Sequence, residues 1–310
     1  MKKSSIKNRT SWFGVLLCTV LVIFTLILTM LLLWALITSV KDDRDFTIGQ
    51  NYFGLPKDYF ADKLLPIWDW KWKNFTTITK YFTVTGVSRN GRDVAIPFIT
   101  QGIYTLYYTI GCAFLAVLCP CIVAYARRKY DYKFLKLFDS VVIITMIVPI
   151  VGSQASMLSL LHSLGIYDTF IGLYLQKFNF TNMYYFVFLA IFQGVSKEYY
   201  EAASIDGANE LQVMLKVALP LVVTMFGLVF LLMFIQFWND YQTLLVYAPS
   251  HPSITYGLFR VLTDSSGSSE RGSTSVQMAG CVLVTLPVVI LFIIFRNKLM
   301  GNVSLGGVKE

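Results

Sequence analysis

The chain has 310 residues, of which 55% are hydrophobic and only 14% charged, with a mean hydropathy of +0.60. A water-soluble domain of this size carries charge on roughly a quarter of its residues, so the composition excludes one and points to a bilayer. The net charge of +8 does not indicate nucleic acid, because the basic residues fall in short groups between apolar spans, the pattern that orients membrane proteins.

In chain order, residues 1–11 carry Lys2, Lys3, Lys7 and Arg9 ahead of an apolar run over 12–40. A cleaved signal has an apolar stretch of only about 7–15 residues. This run is about twice as long, would reach roughly 44 Å as a helix, and predicts an uncleaved transmembrane helix, tilted or protruding. Residues 41–99 form a long loop of mixed charge. Within it Trp68, Trp70 and Trp72 alternate with Asp69, Lys71 and Lys73, a period that predicts three indoles on one face of an extended strand. An interfacial aromatic belt is the plainer reading, and a docking surface for an external partner is the sharper one. Gly86 and Gly91 have phosphate-loop spacing, but Arg92-Asp93 stands where Lys-Ser/Thr is needed. Any ATP is therefore expected on a partner chain.

Residues 100–296 read as a core of five further spans, near 100–126, 138–161, 180–195, 220–239 and 276–296. The fourth is short and begins polar, so packing inside the bundle has to complete it. Cys18, Cys112, Cys119, Cys121 and Cys281 all lie in apolar segments, which suggests packed thiols and no disulfide framework. Cys119-Pro120-Cys121 reads as a proline-kinked helix before it reads as an intramembrane metal site. His162 and His251 lack a cluster of ligands or acids in the sequence around them, so no metal and no catalytic constellation is expected. Basic groups at the N-terminus, at Arg127, Arg128, Lys129, Lys133 and Lys136, and in the 297–310 tail fall on one side of a six-span arrangement. That side is the cytoplasm, which makes both termini cytoplasmic and 265–275, rich in serine and glycine, an external loop.

Polar side chains inside spans are expensive in lipid. Ser153 and Gln154 in the third span, Gln193 in the fourth, and Gln236, Asn239 and Asp240 at the end of the fifth are candidates for a translocation pathway. They serve equally as interhelical hydrogen bonds.

The segment 198–220, EYYEAASIDGANELQVMLKVALP, interrupts the apolar pattern with Glu198, Glu201, Asp206, Glu210 and Lys216. Glu198 and Glu201 share a helical face, Gly207 interrupts, and Leu211, Met214 and Leu215 form a stripe on a second helix. Pro220 suits the first turn of the next helix. Helix, glycine elbow, helix is the expected form. It fits either a plug for a soluble partner's cleft or an amphipathic element on the headgroups.

Glu201-Ala202-Ala203, three residues, Gly207, nine residues, Val217, one residue, then Leu219-Pro220 resembles the EAA signature of membrane permeases in bacterial ABC importers. Val217 stands where isoleucine is usual. VAYARRKYDYK, LGIYDTFIGLYL, FWND at 237–240 and the ending LGGVKE are similar to the maltose-type carbohydrate permeases, so that the likeness covers most of residues 100–310. Ser196 stands in place of a proline before the signature, Tyr107-Tyr108 replaces Asn-Ser, and the 41–99 loop is longer than usual.

The resemblance implies an all-α membrane protein with the type I importer permease fold, of six transmembrane helices with cytoplasmic coupling helices. Glu198, Glu201, Ala202, Ala203, Asp206, Gly207, Leu219 and Pro220 would dock on an ATPase. It also implies a second homologous permease, two copies of a cytoplasmic ATPase that hold the ATP and Mg, and an external or periplasmic solute-binding protein, all at the bacterial cytoplasmic membrane. The cargo it implies is a carbohydrate, moved by alternating access. A glycerol-phosphate ester is the alternative within transport, and a membrane enzyme or sensor is the rival of another class.

Overall fold

The computed structural model describes residues 12–87, 93–130, 132–148, 152–180, 182–263 and 273–301. The basic N-terminal segment, Gly91 and Arg92, Pro149-Ile150-Val151, most of the 265–275 stretch and the tail beyond 301 lie outside them. The chain divides into two compact units, residues 1–81 with 264–285 and residues 82–263 with 286–310.

In the first unit α1 (Trp12–Ser39) has a hydropathy of 3.0 over its most apolar window, none of it buried. A helix apolar on every side over this length has the composition of a membrane span. The following segment is a small folded cap: α2 (Asp43–Thr47), a hairpin of β1 (Lys57–Asp58) and β2 (Lys63–Leu64), a 3₁₀ turn (Ile67–Asp69), and α3 (Lys73–Tyr81). Its centre is polar. Lys41 is fully buried and donates to the Asn51 carbonyl, and the Asp45 carboxylate accepts from Asn51 Nδ2 at 3.1 Å and from the Lys57 N–H at 3.0 Å. Asn74 Nδ2 donates to the Ser39 and Lys41 carbonyls at 2.9 Å, satisfying the end of α1. Burial pushes the Lys41 ammonium below its ordinary value, against the pull of Asp45.

The tryptophans correct the expectation of an extended strand. Trp68 lies in the 3₁₀ turn and is exposed, whereas Trp70 and Trp72 stack at 6.2 Å and bond back to the Leu65 and Ile67 carbonyls. Pro66 starts the turn, and a turn of three residues breaks the period of two.

In the second unit β3 (Val84–Val87) pairs antiparallel with β4 (Asp93–Ile96), Val84 opposite Ile96. Then follow α4 (Phe98–Lys129), α5 (Lys133–Ile147), α6 (Ser153–Ser163), α7 (Phe170–Lys177), α8 (Met183–Gly194), α9 (Glu198–Ile205), α10 (Glu210–Val213), a π turn (Met214–Ala218), α11 (Leu219–Trp238), α12 (Tyr241–Tyr247), α13 (Ile254–Thr263) and α14 (Thr274–Gly301). Helix α14 begins in the first unit and ends in the second.

The axis of the second unit is α4, which packs along α7, α8 and α11. Tyr108, Cys112, Ala113, Ala116, Val117, Cys121 and Ala124 recur at steps of three and four on its buried face. Most are small, which lets neighbouring helices approach closely. Gly111 carries this furthest, since a Cβ there would lie 2.4 Å from the Tyr174 ring of α7. Ile103, Leu106, Ile110 and Phe114 occupy the opposite, exposed face. Cys119 and Cys121 flank Pro120 as buried free thiols.

Among the described residues four helices are long and apolar enough to cross a membrane: Trp12–Ser39, Phe98–Lys129, Glu210–Trp238 and Thr274–Arg296. The other two expected spans are built from shorter pieces. The single helix predicted over 138–161 is instead α5 and α6. Val148 closes α5 with an extended ψ of 110°, as a residue before proline prefers, and Gly152 opens α6 at φ +79° in the left-handed region. Helix α8 has 12 residues, about 18 Å, too short to cross a hydrocarbon core of about 30 Å unaided. Its Tyr185, Phe188, Leu189 and Phe192 are buried, so one face of it packs into the bundle, while Met183, Ala190 and Gln193 stay exposed.

Candidate functional site

The 198–220 segment has a defined fold of its own. Helix α9 ends in a glycine cap: Gly207 sits at φ +79°, its N–H donates to the Ser204 carbonyl at 3.1 Å, and the Ala208 N–H donates to the Ala203 carbonyl at 3.0 Å. These two bonds are the pattern that satisfies a helix end when a left-handed residue follows it. Two residues on, Asn209 opens α10 with a capping box. Its side chain accepts from the Gln212 N–H at 2.8 Å, and Gln212 Oε1 accepts from the Asn209 N–H at 2.9 Å. Both ends of the elbow are thus closed by hydrogen bonds, and the bend between α9 and α10 is fixed.

The second helix runs on into α11 through a π turn, in which the Leu219 N–H reaches back five residues to the Met214 carbonyl. Pro220 explains it. Proline has no N–H to donate to residue 216, and its ring clashes with that carbonyl in a regular α-helix. A widened turn relieves both.

The end of α4 clamps the elbow. Arg128 Nε donates to the Phe192 carbonyl at 3.0 Å, and its terminal nitrogen donates to the Val195 carbonyl at 3.1 Å, which caps the exposed carbonyls of α8 with a cation. Lys129 Nζ bonds to the Glu210 carboxylate, which also accepts from the Tyr130 hydroxyl at 3.0 Å. Tyr125 packs edge-on against Phe192 and Tyr200 at 5.8 and 6.0 Å. Arg127 pairs with Asp139 of α5 at 3.0 Å. Sequence reasoning placed Arg127, Arg128 and Lys129 as orientation signals and did not see them as the elbow's support. A contact across more than sixty residues has no local signal.

What remains uncovered is the outer face of the elbow. Glu198, Glu201, Ala202, Asp206, Gly207 and Pro220 are exposed, with Ala203 and Leu219 half-buried. Beside them Tyr199 is 59%, Ile205 85% and Leu211 60% exposed. Large apolar side chains grouped with carboxylates on a rigid projection form a surface to be covered. All eight residues expected to act in coupling thus lie on this one segment.

The six polar candidates are not brought together. Asp240 accepts from Tyr108 Oη at 2.7 Å, from the Thr243 N–H at 3.0 Å and from Thr243 Oγ1 at 2.6 Å, and lies 3.5 Å from Lys177 Nζ. Burial pushes its carboxyl up, but the Thr243 and Tyr108 hydrogen bonds outweigh that and hold it below the ordinary aspartate value. Asp240 therefore caps α12 and ties it to α4 and α7. Tyr108, half of the pair that departs from the maltose-type pattern, is its fully buried partner. Asn239 bonds back to the Ile235 carbonyl, whereas Gln236 is exposed. Ser153 and Gln154 are exposed at the start of α6, and the Gln154 carbonyl accepts from Tyr247 Oη of α12 at 3.3 Å. Gln193 is exposed at the far end of α8, beside Arg128. Tyr108 and Arg128 are about 30 Å apart along α4, the thickness of a hydrocarbon core. Gln193 and Asp240 thus belong to opposite ends of the bundle. Among the described residues no group of three or more His, Cys, Asp or Glu could hold a metal ion.

Residues 116–301 match the family described as binding-protein-dependent transport system inner membrane component. The arabinooligosaccharides transport system permease protein AraQ of Halalkalibacterium halodurans is 27% identical over 68% of this chain and 77% of its own length. The trehalose transport system permease protein SugB of Mycobacterium tuberculosis is 24% identical over 63% of this chain and 71% of its own. The diacetylchitobiose uptake system permease protein NgcG of Streptomyces coelicolor is 20% identical over 95% and 88%. Among solved structures, a bacterial ABC transporter involved in the import of the acidic polysaccharide alginate superposes with a TM-score of 0.71, at 21% identity, over 96% of this chain and 99% of that one. This last likeness is one of fold.

Proposed function

Since this chain belongs to the inner membrane components of binding-protein-dependent transport systems, and is thus a permease subunit that works with a binding protein and an ATPase, we propose that its cargo is a carbohydrate, most simply an oligosaccharide. The relatives above, named for arabinooligosaccharides, trehalose and diacetylchitobiose, support that reading. We further infer that 198–220 is where ATP hydrolysis acts on the bundle.

The observation that carries the second inference is the fixed, exposed elbow. Glu198, Glu201, Ala202, Ala203, Asp206, Gly207, Leu219 and Pro220 form its docking and transmission parts. The small Ala202 and Ala203 permit close approach by the ATPase. The carboxylates set register, and the apolar Ile205 supplies buried area on docking. Because α10 continues through the π turn into α11, a displacement of the elbow is transmitted to a helix that crosses the membrane. Alternating access then follows from motion of α11 against α4. The chain pairs with a second, homologous permease. Two ATPase copies bind the ATP and Mg, and both termini and the elbow face the cytoplasm.

The test is to isolate the tagged chain from its own membranes, identify what comes with it, and reconstitute that assembly with its binding protein. An ATPase, a second permease and ATP-dependent uptake of arabinotriose, trehalose or lactose are expected. Uptake of glycerol phosphate in place of every sugar would overturn the cargo. Isolation without any ATPase would overturn the coupling role.

A further inference from the structure

At the Tyr104 end of α4, far from the elbow, lies a half-open cavity of about 530 Å³, within the roughly 300–1,000 Å³ of small-molecule sites. Its wall is drawn from four places in the second unit: Tyr104 on α4, Asp168 and Phe170 at the start of α7, Ser250 and His251 after α12, and Val94 of the β3–β4 hairpin. None belongs to the elbow or to the six polar candidates.

Three rings meet there. His251 lies 5.1 Å from Tyr104 and 4.9 Å from Phe170, and Tyr104 lies 5.9 Å from Phe170, all at steep angles. Beside them Asp168 Oδ1 sits 3.3 Å from His251 Nδ1 and accepts from the Ser250 N–H at 3.1 Å. Burial pushes the Asp168 carboxyl up, but the bonds from His251 and Ser250 outweigh it and keep it low. Asp168 is held at φ +59°, and its own N–H donates to the Tyr247 carbonyl at 3.1 Å. A left-handed backbone at a residue other than glycine persists where its surroundings impose it, and such residues gather at ligand sites.

We propose that this cavity is a saccharide-binding subsite at the outer mouth of the bundle, an inference that rests on the carbohydrate reading above. A sugar ring has a C–H face that is apolar and weakly positive, and a rim of hydroxyls that both donate and accept. The rings of Tyr104 and Phe170, which line the cavity, supply aromatic surface that matches the first. The Asp168 carboxylate, oriented by His251, accepts from the second. The cavity therefore receives a sugar unit as it leaves the binding protein.

The experiment uses the complete importer in nanodiscs without its binding protein, probed by saturation-transfer NMR with arabinotriose, trehalose and lactose. In parallel, uptake of the same sugars is measured with the binding protein present. The expected result is transfer to the C–H protons of a sugar that is also imported. It falls about tenfold in the Tyr104→Leu/Phe170→Leu double variant, as the loss of two ring contacts predicts, and is kept in Tyr104→Phe. If the double variant does not assemble with the ATPase, Asp168→Asn, which preserves shape, should weaken the signal instead. An imported sugar that gives no transfer in the wild type, or equal transfer in all variants, overturns the subsite and leaves the carbohydrate reading standing. Undiminished transfer with lost capture of the binding protein makes the cavity a protein contact and also overturns it. Import of glycerol phosphate in place of every sugar removes both readings.

Discussion

Gly207 holds a left-handed backbone at φ +79°, and a Cβ built there meets nothing within 4 Å. The demand for glycine is therefore conformational and not steric. Any side chain costs roughly 1–2 kcal/mol of backbone strain, and a β-branched one projects from the face proposed to meet the ATPase. Gly207→Val should reach the membrane at wild-type levels, because no hydrocarbon packing is touched, yet recover little ATPase on purification and support little uptake. Full recovery of both would make the segment a plain surface loop. Asp240 gives a second prediction at this scale. Its carboxyl is held below the ordinary aspartate value, facing Tyr108, Thr243 and Lys177. A carboxylate depressed in the folded state contributes stability above its unfolded value, and that contribution disappears as pH falls through the folded one. The thermal midpoint of the wild type should thus drop as pH is lowered from neutrality into the acid range. Asp240→Asn should start lower at pH 7 and respond less to acid, as measured by thermal unfolding in detergent across that range. A variant curve parallel to the wild type would contradict the assignment.

At the scale of elements, the decisive feature is the π turn that joins α10 to α11. It is forced by Pro220 and sits between the proposed point of force and the helix that would move. Replacing proline by alanine restores a donor and removes the clash, so Met214–Ala218 can tighten to an α-helical turn. Losing one residue's worth of bulge turns everything upstream by about 100° and moves it about 1.5 Å. Pro220→Ala should make this stretch of helix more regular and more protected in hydrogen exchange. ATPase activity should persist while sugar-dependent stimulation falls several-fold. Unchanged stimulation would show that the turn transmits nothing.

For the whole molecule, the testable quantity is sidedness. The elbow and the tryptophan-bearing cap that follows α1 are proposed to face opposite sides of the membrane. In a background lacking Cys18, Cys112, Cys119, Cys121 and Cys281, a cysteine at Ser204 should react only from the cytoplasm, and one at Trp68, which is 80% exposed, only from outside. Labelling of both from the same side would overturn the arrangement.

The sequence by itself determined that the protein lives in a bilayer. Apolar runs of fixed length need no partner to be read, since a backbone in hydrocarbon must close its own hydrogen bonds and does so as a helix. It also determined the elbow in outline, because Gly207 and Pro220 act within a few residues of themselves, whereas the cap that Asn209 supplies came from the structure. The elbow at Gly207 was legible for the same reason that the family signature was. The tertiary structure alone decided the rest. The break between Ile147 and Ser153 has local causes in Pro149 and Gly152, and the fourth span is short in the sequence itself, but which face of α8 the bundle buries is something hydropathy does not register. Trp70 and Trp72 stack because a 3₁₀ turn ends between Trp68 and Trp70, against the alternation that suggested a strand. Asp240 belongs to a hydrogen-bonded hub because Tyr108, 132 positions away, reaches it. The Tyr104, Asp168, Phe170 and His251 cavity likewise gathers residues from separate stretches of chain. Contacts of that kind are set by helix packing, and no local pattern announces them.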